Sequence, residues 1–272
     1  MIDLIIDAHT HLINPPYNSE QLAFKIADGQ IMKPNSLRKQ VSPQKLLQAM
    51  DNHQIEKAIA IASDALSNEV LSNIVKTHPD RLKGFAYIHP LDSDSQAQLE
   101  NSVNNLGLVG LKLVPDFQNF SMGNPRIYPL LEKAAELEVP VMVHSAPGLI
   151  KGHYNQSLPE HFDSITKEIP ELNLIISHLC YPKFIDLLNI VPKKGVFVDT
   201  STTLPWIIDL CGVDFTSRYI RRIGADSVIF GSDWWGQSSE MEKQIESILK
   251  MDLNEKEKKM ILGGNVSKLI KF

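Results

Sequence analysis

Two histidines close an apolar run near the N-terminus, in the order Leu4-Ile5-Ile6-Asp7-Ala8-His9-Thr10-His11. Alternate residues of an extended strand share a face, so His9 and His11 present two imidazoles to one side while Thr10 points away. Neutral imidazole nitrogens held at a strand end can bind one divalent metal ion, and such a pair is half a ligand set. Other ionisable residues stand in or just after apolar runs. They are Lys112 in Gly110-Leu111-Lys112-Leu113-Val114-Pro115, His144 in Val141-Met142-Val143-His144-Ser145, His178 after Ser177, and Asp233 in Ile229-Phe230-Gly231-Ser232-Asp233. Each alone is explained by a satisfied buried histidine or a capping aspartate. Their value depends on whether the fold gathers them.

The elements that must do so alternate. Ser42 and Pro43 open a helix as N-cap and first helical residue, with Leu46, Leu47 and Met50 at core spacing. Strands are expected at residues 57–62, 82–88, 109–114, 139–144, 173–178, 196–199 and 227–230, with helical patterns between them. With the first strand this makes eight βα units. Their strands are apolar nearly throughout, as in a parallel sheet covered on both faces. Eight such units predict a closed (β/α)8 TIM barrel forming a single domain over residues 1–272. A doubly wound open sheet usually carries a glycine-rich phosphate turn after its first strand, and here that place holds His9-Thr10-His11. In a barrel, strand carboxyl ends form the catalytic face. All the residues named above fall there, and coincidence becomes a poor explanation.

Composition narrows the function. Hydrophobic residues make up 43% of the 272-residue chain, enough for a sizeable core, and the net charge of −5 with no long basic run excludes an electrostatic nucleic-acid binder. No apolar run is long enough to cross a bilayer, and the first residues lack the basic start of a secretory leader, so a cytoplasmic protein with no membrane partner is expected. Cys180 and Cys211 are far apart and in no CxxC spacing, which fits a reducing compartment. A small-molecule substrate is the remaining expectation, and a symmetric homodimer is the default assembly.

As a set, Asp7-Ala8-His9-Thr10-His11, Val143-His144, Ser177-His178, Gly231-Ser232-Asp233 and Ile261-Leu262-Gly263-Gly264-Asn265 resemble the amidohydrolase superfamily, in its amidohydrolase-related branch. The resemblance spans nearly the whole chain. It implies that His9, His11, His144 and Asp233 hold a divalent metal, expected to be zinc, with one or two ions per chain. His178 would then bind a second metal or act as an acid/base group. Lys112 separates the members. In dihydroorotase-like enzymes a fourth-strand lysine is carboxylated and bridges two metals, whereas decarboxylases similar to aminocarboxymuconate semialdehyde decarboxylase hold one metal and generally lack it. A lysine inside an apolar strand itself points to modification, pairing or function.

The expected activity is therefore metal-dependent hydrolysis of an amide, lactone or ester bond, with Asp233 and His178 as catalytic groups. Non-oxidative decarboxylation and a non-catalytic ligand-binding barrel are the alternatives. Arg126, after the fourth strand, and Lys151 and His153, in the loop after the fifth, are candidate substrate contacts. His89 follows the third strand without motif support. Trp234 and Trp235 stand where the resembling sequences more often place an aromatic residue and a proline. The long polar stretch at residues 13–40 reads as a loop, either a lid or binding loop or a disordered insertion.

Overall fold

The computed structural model describes residues 4–12, 24–25, 31–32, 41–63, 66–146, 156–236 and 238–272. Eight parallel strands follow one another around a barrel: β1 (Ile6–His11), β4 (Lys57–Ile61), β5 (Leu82–Tyr87), β6 (Gly110–Leu113), β7 (Val141–Val143), β8 (Leu174–Ile176), β9 (Val196–Asp199) and β10 (Val228–Ile229). The two-residue strands β2 (Phe24–Lys25) and β3 (Ile31–Met32) pair antiparallel within the stretch read from sequence as a loop, the rest of which lies outside the described residues. Between the barrel strands run α1 (Pro43–Asn52), α2 (Asn68–Thr77), α3 (Ser95–Asn104), the short α4 (Pro115–Gln118), α5 (Tyr128–Glu136), α6 (Pro159–Glu168), α7 (Leu204–Cys211) and α8 (Val213–Ile223). Gly212, at φ 83°, divides the helical stretch between β9 and β10 into α7 and α8. The segment after β8 forms 3-10 turns, Ser177–Cys180 and Phe184–Asn189, in place of the expected α-helix.

The barrel has two apolar layers. Ile6, Ala8, Ile59, Ile61, Phe85, Met142, Ile175 and Ile229 fill its interior, whereas Ala58, Leu111, Val143, Ile176 and Val198 pack outward against helix residues such as Leu46, Leu71, Leu130 and Ile165. Gly110 makes room for Phe85, whose ring would lie 2.4 Å from any Cβ placed there. The last elements, α9 (Ser238–Lys250), α10 (Glu255–Lys259) and α11 (Val266–Leu269), end with Val266 and Ile270 packed into the interior cluster beside Leu4, Val109 and Phe197, which closes the barrel's lower end. Asn265 fixes that plug. Its buried Nδ2 donates to the carbonyls of Ala225 and Val228, at 2.8 and 2.7 Å.

Two irregularities place the histidines and Asp233. Along β1 the register against β4 shifts between Asp7 and Thr10, so one extra residue enters the first strand. Ile6 and Ala8 belong to the apolar interior, and the histidines continue in the opposite parity at 9 and 11. A plain two-residue alternation from Ile6 would not combine these facts. Second, β10 pairs with β9 in a short ladder, and the seam to β1 is closed by the chain beyond it. Ala8 N–H donates to Phe230 O at 3.0 Å, Asp233 N–H to His9 O at 2.9 Å, and His11 N–H to Trp234 O at 3.0 Å. The bonds that shut the barrel thus bring Asp233 to the histidine pair. Gly231 permits this approach, since a Cβ there would stand 2.8 Å from His9 Cβ.

Candidate metal and catalytic centre

At the carboxyl end of the barrel, His9, His11, Lys112, His178, Asp199 and Asp233 form a connected, largely buried cluster, with His144 joined to it through His178. His9 Nε2, His11 Nε2 and Asp233 Oδ1 converge: the two histidine nitrogens lie 3.5 and 3.0 Å from the carboxylate oxygen. His11 lies under Trp235, with the rings stacked at 3.9 Å between centroids, and its Nδ1 is buried without a partner among the described residues. Trp235 Nε1–H also donates to Asp233 Oδ1 at 3.1 Å, and Thr202 Oγ1–H donates to Asp233 Oδ2 at 2.8 Å. The second tryptophan, singled out in the sequence only as a departure, therefore positions both a histidine and the aspartate.

Asp199, at the end of β9, is the residue that sequence reading missed. It is fully buried. Its Oδ2 accepts from His9 Nδ1 at 3.0 Å; Oδ1 accepts from the backbone N–H of His178 at 2.9 Å, the backbone N–H of Ser201 at 3.0 Å, and the Ser201 hydroxyl. These contacts fix proton positions. With its Nδ1 proton held by Asp199, His9 offers a bare Nε2 toward the centre. The Ser201 hydroxyl proton goes to Asp199, so the His178 Nδ1–H donates to Ser201 Oγ, at 2.9 Å. His178 Nε2 is then the acceptor for His144 Nδ1–H at 2.9 Å, which leaves His144 Nε2 bare. One carboxylate sets the tautomers of three histidines. The signal that could have found it was the single acidic residue at the carboxyl end of an otherwise apolar strand, Val196-Phe197-Val198-Asp199.

Burial opposes charge throughout this cluster, and contacts decide which groups stay ionised. Burial lowers His9 to about 4, helped by Lys112 and opposed by Asp199, and it lowers His11 and His144 as well. For Asp199, burial alone would raise the carboxyl, but the charge and hydrogen bond of His9, with His178 and Lys112, bring it far below the usual carboxylate range. Asp233 is likewise lowered against the effect of burial by the His11 hydrogen bond and by His9 and His178. Behind His9, burial raises Asp7 to about 7 even though it accepts from the N–H groups of Ser232 and His9.

Lys112 is buried as its sequence context implied, and it is paired. Its Nζ donates to His9 Nε2 at 3.2 Å and to Ser177 Oγ at 3.3 Å. Burial lowers it to about 8, with Asp199 and Asp233 acting in the opposite sense. The backbone around the centre is unusual: His178, Leu179, Cys180, Thr202 and Asp233 all have φ between 50° and 59°. Non-glycine residues in this region are uncommon and collect where surrounding contacts over-determine the chain.

Of the remaining sequence candidates, Arg126 and His89 do not join this cluster. Arg126 is exposed in the turn Pro125–Ile127, and its side chain makes no hydrogen bond or ion pair with the cluster. Lys151 and His153 lie outside the described residues. His89 accepts from Leu91 N–H and reaches the Gln118 carbonyl through Nε2 at 2.7 Å, a link between loops.

This barrel, with histidines ending its first strand and an aspartate closing onto them from the eighth, gathers donor atoms that could hold a divalent metal ion. The chain belongs to the amidohydrolase family, whose model matches residues 6–272, and it is an enzyme of that family. One curated relative, 2-keto-4-carboxy-3-hexenedioate hydratase of Sphingobium sp. (strain NBRC 103272 / SYK-6), is 30% identical over 105 residues, 35% of this chain and 31% of the relative. The match thus spans about a third of that protein's length.

Solved structures share the fold over nearly all of both chains. A probable 2-pyrone-4,6-dicarboxylic acid hydrolase from Acinetobacter baumannii, with citric acid bound, superposes with a TM-score of 0.72 at 19% identity, over 98% of this chain and 99% of that one. The 5-carboxyvanillate decarboxylase of Sphingomonas paucimobilis gives 0.74 at 14% identity over 99% of each chain. Its counterpart from Novosphingobium aromaticivorans, with bound manganese, gives 0.75 at 16% identity over 99% and 97%. Among the described residues, no helix is long and apolar enough to cross a membrane.

Proposed function

We propose that the chain is a divalent-metal-dependent hydrolase of a small carboxylate-bearing ester or lactone, with amides as the neighbouring class. The observation that carries this reading is the convergence of His9 Nε2, His11 Nε2 and Asp233 Oδ1, all within 4.8 Å of one another, with the His9 nitrogen made available by Asp199. The donor set fits a divalent ion. It offers two imidazoles kept neutral by burial and an ionised carboxylate, with His144 joined to the same cluster through His178. A second grouping, His9, His178 and Asp199, is already tied together through Ser201 and serves to orient the first.

When bound, the ion supplies Lewis acidity toward a carbonyl and acidifies a water. Every other step belongs to the chain. Asp233, ionised and the most exposed member of the convergent set, takes the proton from the attacking water and returns it to the leaving oxygen or nitrogen. Thr202 and Trp235 hold that carboxylate in place. His178 donates its Nδ1 proton to Ser201 and accepts from His144 through Nε2, which holds both imidazoles in place beside the site. Zinc and manganese both suit nitrogen and oxygen donors, and manganese is the ion named in one structural neighbour.

Lys112 supports two states of this centre. As an amine it competes for the His9 Nε2 lone pair and is placed to meet a substrate carboxylate; as a carbamate it becomes a further oxygen donor. The substrate names of the relatives are all carboxylic acids, which favours a carboxylate-bearing lactone as the first compound to assay. Hydrolysis of a lactone panel by zinc- or manganese-loaded protein, with carbon dioxide release followed in parallel, tests the reading. Carbon dioxide release from an aromatic acid without any ester or lactone hydrolysis would favour the decarboxylase alternative.

A further inference from the structure

Beside the histidine cluster lies a cavity of about 180 Å³ whose wall includes Asp116, Ser145, Ser157, Leu158, Cys180 and Tyr181. Its floor continues directly from the catalytic strands: Ser145 follows His144 at the end of β7, and Cys180 stands two residues after His178. Asp116 comes from α4, immediately after β6. Most polar groups here are satisfied within the protein. Ser145 Oγ–H donates to Ser177 O at 2.7 Å, and the Cys180 thiol lies 3.9 Å from the Ser157 carbonyl.

Two polar groups are not. Asp116 is 5% exposed, and its Oδ2 is buried with no hydrogen-bond partner among the described residues; Ser157 Oγ is in the same position. Lys183, at the edge of the cavity, is exposed and forms no ion pair with Asp116. A buried carboxyl without a partner costs the full desolvation of the group, so such atoms in folded proteins have a reason to be there. Burial moves this carboxyl up to about 7. The cavity is large enough to take a ligand group, and Asp116 Oδ2 and Ser157 Oγ are the atoms for which such a group would supply the missing partners.

We infer that this cavity is a substrate subsite that recognises a hydrogen-bond-donating arm, a hydroxyl or an ammonium, through Asp116 and Ser157. The inference rests on the reading of the barrel end as a small-molecule hydrolase site, which the subsite deepens by adding a specificity element. A donor arm pairs with the Asp116 carboxyl, and Ser157 turns its hydroxyl to complete the contact. Above about pH 7, where the Asp116 carboxyl is ionised, an arm ending in a carboxylate meets like charge and is rejected.

The test is a titration, at a pH about one unit above the Asp116 value of about 7, of protein carrying 13C-labelled aspartate carboxyls, with the Asp116 resonance identified by its loss in Asp116→Asn. Glycerol probes the hydroxyl, ethanolamine the ammonium, and acetate the acceptor-only anion. A saturable shift of the Asp116 resonance with glycerol, ethanolamine or both supports the subsite and shows which donor it prefers. Ser157→Ala should then raise the half-saturation concentration about threefold or more, as expected for the loss of one hydrogen bond. No saturable shift with either donor, or an equal shift with acetate, overturns the proposal. Because this readout is binding, it stands apart from turnover: a protein that hydrolyses nothing yet binds donors would refute the functional reading alone.

Discussion

Replacing Asp199 with asparagine changes one atom and should reset the centre. In the native arrangement Oδ1 faces three donors and Oδ2 faces His9 Nδ1. In Asp199→Asn the amide oxygen keeps the three donors, so the amide nitrogen must face His9. Two N–H groups cannot share that 3.0 Å contact, and His9 moves its proton to Nε2, the atom aimed at the metal position. Partners of this kind are worth about 10- to 100-fold in metal affinity or activity, or about 1.4 to 2.7 kcal/mol. Competition with a chromophoric chelator for zinc and manganese would measure the loss, and circular dichroism would show that the barrel remains folded. Affinity within about twofold of the wild type in a folded variant would refute the tautomer argument.

Three further outcomes follow from the same geometry. Asp233→Asn should lower turnover by about 10²- to 10⁴-fold with the far-ultraviolet spectrum unchanged, since the proton carrier is lost and the seam bond from the Asp233 backbone N–H is kept; undiminished turnover would remove Asp233 from the mechanism. Gly231→Ala should destabilise the protein by about 1 to 3 kcal/mol in denaturant titrations and impair metal binding, because its Cβ would press on His9. Asp116 gives a pH signature. Its folded value, about 7, lies above the unfolded value of about 3.9, so the folded state holds the extra proton between them and stability falls as pH rises through that window. Asp116→Asn removes this dependence, and its melting temperature relative to wild type should climb between about pH 4 and pH 7, then level off. A constant difference across that range would contradict the assignment.

Much of this was legible from residue order. The period-two histidines, the apolar strands and the alternation with capped helices led to an eight-stranded barrel and placed His9, His11, Lys112, His144, His178 and Asp233 at one end of it. Lys112 is as buried as its strand context required. What stayed hidden depends on contacts between distant segments. The extra residue in β1 is visible only against β4, and the role of Asp199 exists only because β9 meets β1 through His9, 190 residues apart in the chain. Trp235 showed in the sequence as a departure, but its stacking on His11 comes from the turn that closes the barrel seam. Gly263-Gly264-Asn265 looked like a family signature, and its physical work is structural: Asn265 ties the C-terminal plug beneath β10.

Metal removal followed by stoichiometric return would show whether the convergent histidines and Asp233 hold a divalent ion on which hydrolysis depends. Purified protein is stripped with chelator, metal content per chain is measured by elemental analysis, and lactone or ester hydrolysis is assayed as zinc or manganese is added back. Activity should disappear with the metal and return in proportion to bound ion, and His9→Ala and His11→Ala should fail to recover it. Full hydrolytic activity in protein shown to be metal-free would contradict that dependence.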